Sequence, residues 1–311
     1  MSAHKTIALV DIENASVGVA LAHLEHKQQP RILAEKRVHF PVSFSVHSDG
    51  LLSQIEKSVQ SGLVHLGEVA ARLRGKEKTA HMGVISDTIV FVGNPWTDTH
   101  VMQPGKHSAG AHIALTDKVR PIVASIFDTR PTFHTFTTAA RFLTSGPKPE
   151  DAYLLCTITG EVTELTLLDN RGVLGTATFP TGYRTSVRTL MTHAGLSSAE
   201  AHSALRLQPS HMSDATNAAS EHFAQAFYAA AQPLMQAAPA RSIVVVAQEP
   251  HGEWFAKALA RSSQVSGLFT EPGVVSAAKA SHFTPYVAGH SPKPDLFLML
   301  EALFVDNRYS V

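Results

Sequence analysis

The chain has 311 residues, of which 44% are hydrophobic and 17% are charged, enough apolar material for one large domain or two ordinary ones. Lys plus Arg and Asp plus Glu both number 26, so the net charge favours neither nucleic acid nor an anionic membrane as a partner. The single cysteine, Cys156, excludes an internal disulfide framework and predicts a reducing, cytoplasmic location. The 18 histidines form no metal-binding motif, and no apolar run is long enough to span a membrane.

The chain begins with two strands joined by a short polar turn. Residues 6–22, TIALVDIENASVGVALA, carry an apolar run on each side of that turn, a pattern typical of a β-hairpin. A turn signal and a third strand follow at 28–40. Apolar residues then recur every three or four positions over 51–73, which predicts a helix. Residues 81–86 add a further strand, so the first unit is a three-strand meander, a helix and a strand.

An insert separates this unit from the rest of the chain. It contains a strand-like piece, VGNPWTDTHV, and a helix-like piece, HIALTDKVRPIVASIF, and we expect a small subdomain at about 93–128. Pro147 and Pro149 then mark an exposed join. We therefore place the domain boundary between residues 149 and 150, with 1–149 and 150–311 as the two domains.

The second half repeats the first. Residues 152–168, AYLLCTITGEVTELTLL, again have two apolar runs around a polar turn, and a third strand follows at 169–180. A shorter helix, TSVRTLMTHAG, and a compact strand, SIVVVAQ, complete the unit. Ser197 and Glu200 form a capping-box pattern before another helix. The repetition predicts an internal duplication, although a turn with Gly and Thr also suits an ordinary hairpin.

Two stretches carry a resemblance to a known family. VDIENASVGVAL at 10–21 and LLCTITGEVTELTLLDNRGVLGTATFPTG at 154–182 resemble the phosphate loops of the actin-like ATPase superfamily, and within it of the FtsA and PilM proteins. The resemblance implies an α/β fold with two ribonuclease-H-like lobes and a reduced small subdomain in the first. It also implies that the turns at 13–16 and 159–162 face each other across a cleft.

In that family ATP lies in the cleft and carboxylates hold its magnesium ion. Asp11 matches the family's first magnesium-linked Asp, but Glu13 replaces a glycine that lets the backbone approach a phosphate. Two unit charges about 4 Å apart repel by roughly 4 kcal/mol at an effective dielectric of 20. Binding of ATP and magnesium is therefore possible, with Asp11 as a metal ligand only in that case, but we expect it to be weak or absent.

The second phosphate loop departs further from the family. Thr157 replaces the second Asp, and Thr159 replaces a glycine. The adenine-side loop, Ala247 to Pro250, lacks glycine altogether. The positions that remain matched, as vestigial phosphate loops, are Asp11, Asn14, Ser16, Gly160 and Thr163.

Two functions are compatible with these residues. The first is a non-catalytic scaffold of the PilM or FtsA type, which docks the tail of an inner-membrane or envelope-assembly protein and is peripheral to the inner membrane only through that partner. Trp96 is then the apolar anchor, with residues 88–92 or their neighbours available for strand pairing. The second is a slow magnesium-dependent ATPase in which Glu161 is the general base. Self-association is compatible with either.

Overall fold

The computed structural model describes residues 4–42, 48–100, 108–140, 152–170, 172–207, 213–289 and 291–309. Their strands fall into a six-stranded sheet, a five-stranded sheet and a two-stranded hairpin. The strands are β1 His4–Ile12, β2 Ser16–Glu25, β3 Arg31–His39, β4 Ile85–Val92, β5 Thr97–His100, β6 Ser108–Ala111, β7 Thr132–Thr135, β8 Ala152–Ile158, β9 Thr163–Asp169, β10 Gly172–Phe179, β11 Ala240–Ala247, β12 Val274–Ala277 and β13 Ala288–Gly289. The helices are α1 Ser48–Arg74, α2 Ile113–Phe127, α3 Phe136–Ala140, α4 Tyr183–Ala194, α5 Ser198–Leu207, α6 Ser213–Ala237, α7 His251–Arg261, α8 Ser263–Ser266 and α9 Leu296–Tyr309.

The six-stranded sheet has the order β13-β3-β2-β1-β4-β7. β1, β2 and β3 form an antiparallel meander, and β4 pairs with β1 in parallel. Every residue of β1 from Thr6 to Ile12 is buried, because α1 and α2 cover one face of the sheet and α9 covers the other. A strand covered on both faces is apolar throughout, which explains the unbroken run IALV.

The five-stranded sheet repeats this plan in the order β10-β9-β8-β11-β12. β8, β9 and β10 form the meander, and β11 pairs with β8 in parallel. Helices α4 to α7 pack on one face around Phe223, Phe227 and Phe255. Residues of the other face join a core that includes strand β1 and helix α9. The predicted α/β fold with two similar lobes is confirmed.

The end of the chain does not stay with the second sheet. β13 pairs with β3 at Ala288↔Arg31, and α9 packs against β1, β2 and β3. The sequence-based division puts all of 150–311 in the second lobe, whereas residues 288–309 complete the first. The reason is burial: α9 carries the apolar run LFLMLEALFV and needs an apolar surface, which the open face of the first sheet provides. The proposed boundary at 149/150 lies outside the described residues.

The insert at 93–128 is only in part a separate unit. α2 is the crossover helix between the parallel strands β4 and β7, and its residues Leu115, Val119 and Val123 are fully buried against α1. Helix α2 is therefore part of the first lobe's own core. The strands β5 and β6 form a two-stranded hairpin separate from the six-stranded sheet.

Strand β4 is interior to its sheet, with β1 on one side and β7 on the other. Our expectation that residues 88–92 could pair with a partner strand is therefore wrong, because their backbone hydrogen-bonding groups face neighbouring strands. Among the described residues, no helix is long and apolar enough to cross a membrane.

Candidate functional site at the junction of the two hairpin turns

The two hairpin turns meet directly. The Asn14 side chain, in the turn between β1 and β2, donates from Nδ2 to Thr159 Oγ1 at 2.8 Å and accepts at Oδ1 from the backbone N–H of Glu161 at 2.9 Å. Asn14 is 2% exposed. The two turns lie opposite each other, as expected, but they are in direct contact where we expected a cleft between them.

Ala15 and Gly160 form the closest part of this contact. A Cβ atom added at Gly160 would lie 2.0 Å from the Cβ of Ala15, so no other residue type fits at Gly160. Ala15 itself belongs to the apolar core of the second lobe. The glycine that the sequence suggests for phosphate contact thus serves the packing of one turn on the other.

The N-terminus of α4 forms hydrogen bonds with the second hairpin turn. The backbone N–H groups of Tyr183 and Arg184 donate to the carbonyl oxygens of Thr159 and Gly160, at 3.0 and 2.9 Å. Gly182 is required here, because a Cβ would lie 2.3 Å from the Gly160 oxygen. A helix N-terminus attracts anions through unpaired N–H groups, and these two are paired with the turn.

A row of three residues crosses the first sheet just below its turn. The strand registers place Asp11 beside Gly18 and Gly18 beside Arg37. Because Gly18 has no side chain, the Arg37 guanidinium passes over it, and a Cβ there would lie 2.6 Å from Arg37 Nη2. Arg37 donates from Nη2 to Asp11 Oδ2 at 2.6 Å and from Nη1 to Ser16 Oγ at 3.0 Å.

Arg37 also reaches the start of α9. It contacts Asp295 through Nε and through Nη2, the latter at 3.0 Å from Oδ1. Asp295 in turn accepts from the backbone N–H groups of Phe297 and Leu298 as an N-terminal cap. One guanidinium, 7% exposed, therefore joins β1, β2 and α9.

The acids around Arg37 outnumber it. Burial raises the pKa of Glu13 to about 8, and it raises the pKa of Asp11 and of Glu301 as well. Burial acts to raise the pKa of Asp295, but the Arg37 charge, the Arg37 hydrogen bonds and the backbone N–H groups of Leu298 and Phe297 together outweigh it and lower this pKa. The same carboxylates raise the pKa of Arg37 against the effect of burial. The cluster therefore holds a charged Arg37–Asp295 pair beside acids that favour protonation.

Two further side chains connect the lobes at this cluster. Gln248, from the second lobe, donates from Nε2 to Glu13 Oε2 at 3.0 Å and to Ser16 Oγ at 2.8 Å. Arg184 donates from Nη2 to the backbone oxygens of Ala15, at 3.2 Å, and of Phe40. Glu13, which the sequence shows as an obstacle to phosphate, is thus a buried acceptor for the other lobe.

The corresponding row in the second lobe is Thr157, Glu164 and Thr178. Glu164 accepts from Asn94 Nδ2 and Thr137 Oγ1, both in the first lobe, and from Thr166 Oγ1 at 3.2 Å. Burial raises its pKa. Among the residues that the structure describes, the donors to Glu164 are neutral, whereas the donor to Asp11 is the charged Arg37.

Glu161 is held by arginines and is not free to act as a base. Its carboxylate binds Arg188 through two hydrogen bonds, at 2.6 and 3.0 Å, and lies 3.6 Å from Arg184. A bidentate arginine pair fixes the carboxylate and uses both of its oxygens, so Glu161 is poorly placed to take a proton from water. Thr163, another sequence-matched position, donates its hydroxyl to the Thr181 oxygen at 2.6 Å.

These contacts do not fit bound magnesium ATP. The turn amides of Glu13 and Thr159 donate to the oxygens of Ser16 and Val162, in addition to the pairs already described. The described residues leave a cavity of about 10 Å³ beside the turns, the size of a single water. Among the described residues, no group of three or more His, Cys, Asp or Glu side chains has the spacing to hold a metal ion.

Trp96 lies immediately before β5, at the base of the β5–β6 hairpin. Its side chain is partly buried against the first-lobe core, and its Nε1 is buried without a hydrogen-bond partner among the described residues. The ring therefore serves packing at least in part. Whether its exposed part meets a partner stays a prediction.

Several central residues are absent from the sequence-based site. Arg37, Arg184, Gln248, Asp295 and Glu301 come from distant parts of the chain. One signal was present in the sequence, because Glu301 breaks an apolar run. Glu301 is completely buried and Arg37 is 7% exposed, and a buried charge requires a partner. Nothing in the linear sequence says which partner.

Comparisons with known proteins give the fold. No family model matches the chain, and no curated protein matches it. Among solved structures, a PilM–PilN type IV pilus biogenesis complex matches with a TM-score of 0.63 at 10% identity, covering 99% of this chain and 98% of that one. The ethanolamine utilization protein EutJ from Carboxydothermus hydrogenoformans matches with a TM-score of 0.51 at 14% identity, covering 88% and 85%. These neighbours are members of the actin-like ATPase fold, and this chain has that fold.

Proposed function

We propose that this chain is a non-catalytic, actin-like adaptor that docks a peptide of an inner-membrane or envelope-assembly protein. The observation that carries the proposal is the direct contact of the two hairpin turns through Asn14, Ala15 and Gly160. A two-lobed ATPase needs a space between these turns for the phosphates of ATP. The similarity to a structure of PilM with PilN supports an adaptor over an enzyme.

Calorimetry with magnesium ATP tests the first half of this proposal. We expect no binding, since the amides and carboxylates that would contact the nucleotide are paired within the protein. Micromolar, magnesium-dependent binding would refute it and favour the slow ATPase that uses Asp11 and Glu161. In that case Asp11→Asn must abolish the binding heat, while Asp117→Asn, on helix α2, must leave it unchanged.

Restoring the family's residues is a stricter test. Glu13→Gly with Thr157→Asp returns two family positions, but Asn14 and Ala15 still fill the space between the turns. We therefore expect the double variant to stay without ATP binding. Binding by this variant would show that charge alone, and not the packing of the turns, prevents it.

A pull-down tests the partner. We expect the native membrane fraction to yield an inner-membrane or envelope-assembly protein, bound through a short segment. Trp96→Ala should weaken that binding without unfolding the chain, because the ring is only partly buried. Tyr286→Ala, at a site that is 61% exposed and away from the hairpin, is the matched control. Equal recovery with both variants would remove Trp96 from the docking surface.

A further inference from the structure

Strand β10, the third strand of the second meander, forms one edge of the five-stranded sheet. It pairs with β9 on one side, and within the described part of the chain no strand pairs with its outer side. β10 has eight residues, whereas the other strands at the ends of the two large sheets, β7, β12 and β13, have four, four and two. β10 is therefore a long edge strand, whose outer backbone N–H and C=O groups can pair with another strand.

The corresponding third strand of the first meander, β3, is protected against such pairing. It carries four charged residues: Arg31, Glu35, Lys36 and Arg37. Its first two residues also pair with β13. Charged side chains and a covering strand are two ways in which proteins prevent edge-to-edge association. β10, with the sequence GVLGTATF, has no charged residue and no proline, so the same position of the duplicated motif is unprotected in the second lobe.

The regular part of β10 has small side chains on both faces. Its pairing with β9 is continuous over residues 175–179. Gly175 and Ala177 lie on the face that the helices cover, where a Cβ at Gly175 would be 2.9 Å from Leu234 of α6, yet both residues are only partly buried. Thr176 lies on the opposite face and is exposed. The described residues of the first lobe therefore leave this end of the second sheet accessible.

A second copy of β10 is a suitable partner for this edge. An antiparallel pair of identical strands is related by a two-fold axis, so each copy presents the same surface to the other. An axis near Thr176 and Ala177 places small residues of one copy beside small residues of the other, which lets the two backbones approach. No charged side chain of β10 opposes another across that axis, and threonine pairs on neighbouring strands are favourable.

We propose that two copies of this chain associate through the outer edge of β10, which joins their second-lobe sheets into one continuous sheet with five strands from each copy. A pair of short strands buries less surface than a standard protein interface, so the dimer is weak and reversible, with a Kd of about 10–100 µM. Sedimentation equilibrium of the full chain measures it, as a mass that rises with concentration from 33.4 kDa toward twice that value. A mass that stays at 33.4 kDa up to about 500 µM would overturn the proposal and leave the edge for a strand of another protein.

Two charge variants at Thr176 identify the strand that pairs. Thr176→Lys puts like charges close to the two-fold axis, and we expect association to weaken by up to about fivefold, as it should in Thr176→Glu. A mixture of the two variants brings opposite charges together, so heterodimers should form more tightly than either homodimer. Such rescue also shows that both variants are folded. At about 1 M salt the repulsion is screened, and each variant alone should associate nearly as tightly as the parent chain.

Matched control variants carry the same charges at a different surface. Gln60 is exposed on α1, in the first lobe, so Gln60→Lys and Gln60→Glu should associate like the parent chain, alone or mixed. Equal association of the parent chain and Thr176→Lys would place the interface elsewhere and overturn the proposal. A mixture of the two Thr176 variants that associates no more tightly than each variant alone would overturn it as well.

Discussion

The two lobes place a buried acid at matching rows of their meanders and stabilise it in opposite ways. In the first lobe the acid is Asp11, on the first strand, and a cation from the third strand reaches it across Gly18. In the second lobe the acid is Glu164, on the middle strand, and neutral donors surround it. The two lobes therefore share the position of the row but not its electrostatics.

The comparison predicts that the first row depends on its cation most of all. Arg37→Met leaves Asp11 and Asp295 buried without their partner, and we expect the free energy of unfolding to fall by about 3–5 kcal/mol. Chemical denaturation measures the change. Arg241→Met is the matched control, because Arg241 is 64% exposed and 3.9 Å from Glu271, and its loss should change stability by less than about 0.5 kcal/mol. Equal losses of stability in the two variants would show that Arg37 does not stabilise the row.

Gly18 lets Arg37 cross the sheet, and its replacement should have the next largest effect. Gly18→Ala puts a Cβ atom 2.6 Å from Arg37 Nη2, and two aspartates hold that guanidinium in place. We expect a loss of about 1–3 kcal/mol in thermal or chemical unfolding. Gly50→Ala in α1 meets nothing within 4 Å and should be neutral or stabilising, since alanine favours helix. A neutral result at Gly18 would mean that Arg37 can move without cost.

The second row should tolerate removal of its acid. Glu164→Gln keeps one carbonyl oxygen for the threonine hydroxyls and loses one acceptor, and we expect a cost of about 0.5–1.5 kcal/mol. Asp11→Asn, the same change in the first row, weakens a charged hydrogen bond and should cost more, about 1.5–3 kcal/mol. Denaturation of the two variants side by side decides the order. A larger loss of stability in Glu164→Gln than in Asp11→Asn would contradict this prediction.

Glu13, which lies 3.8 Å from Arg37 of the first row, should make stability respond to alkali. Burial raises the pKa of Glu13 from 4.5 to about 8, so the folded chain binds this proton more tightly than the unfolded chain. That contribution to stability is complete below pH 4.5, falls as pH rises toward about 8, and is lost above it, with a slope of at most about 1.4 kcal/mol per pH unit. Glu13→Gln should flatten the stability curve over this range. An unchanged slope in the variant would assign the effect to another group.

Much of the fold was readable from local pattern, because a hairpin needs only an alternation of apolar strands and a polar turn. The capping box is one such case: Ser197 and Glu200 make the reciprocal bonds of that motif, from the Ser197 N–H to Glu200 and from the Glu200 N–H to Ser197 Oγ. The place of α9 was not readable, since an apolar run buried on all sides carries no polar stripe to show which surface covers it. Helix α2 was misread as subdomain for a related reason: its role depends on the parallel pairing of strands that are distant in sequence.

Of the candidate site, the sequence predicts only which two turns form it. The turns 13–16 and 159–162 are predicted to face each other across a cleft, and they do lie opposite each other, but the sequence could not show that Asn14 and Ala15 fill the space between them. Their effect depends on the separation of the lobes, which no local pattern encodes. Arg37 illustrates the same limit, because its partners are 26 and 258 residues away.

The return of the chain to its first sheet has a consequence for synthesis. A ribosome delivers the chain from the N-terminal end, and domains ordinarily fold in that order. Here the residues of the second sheet lie between the two parts of the first lobe, and Arg37 obtains its Asp295 partner only after α9 has emerged. The face of the second sheet that α4 to α7 cover can therefore pack on the ribosome while the first sheet still exposes the apolar surface that α9 covers. The lobe that is made first is finished last, and its open face needs protection from aggregation in the interval.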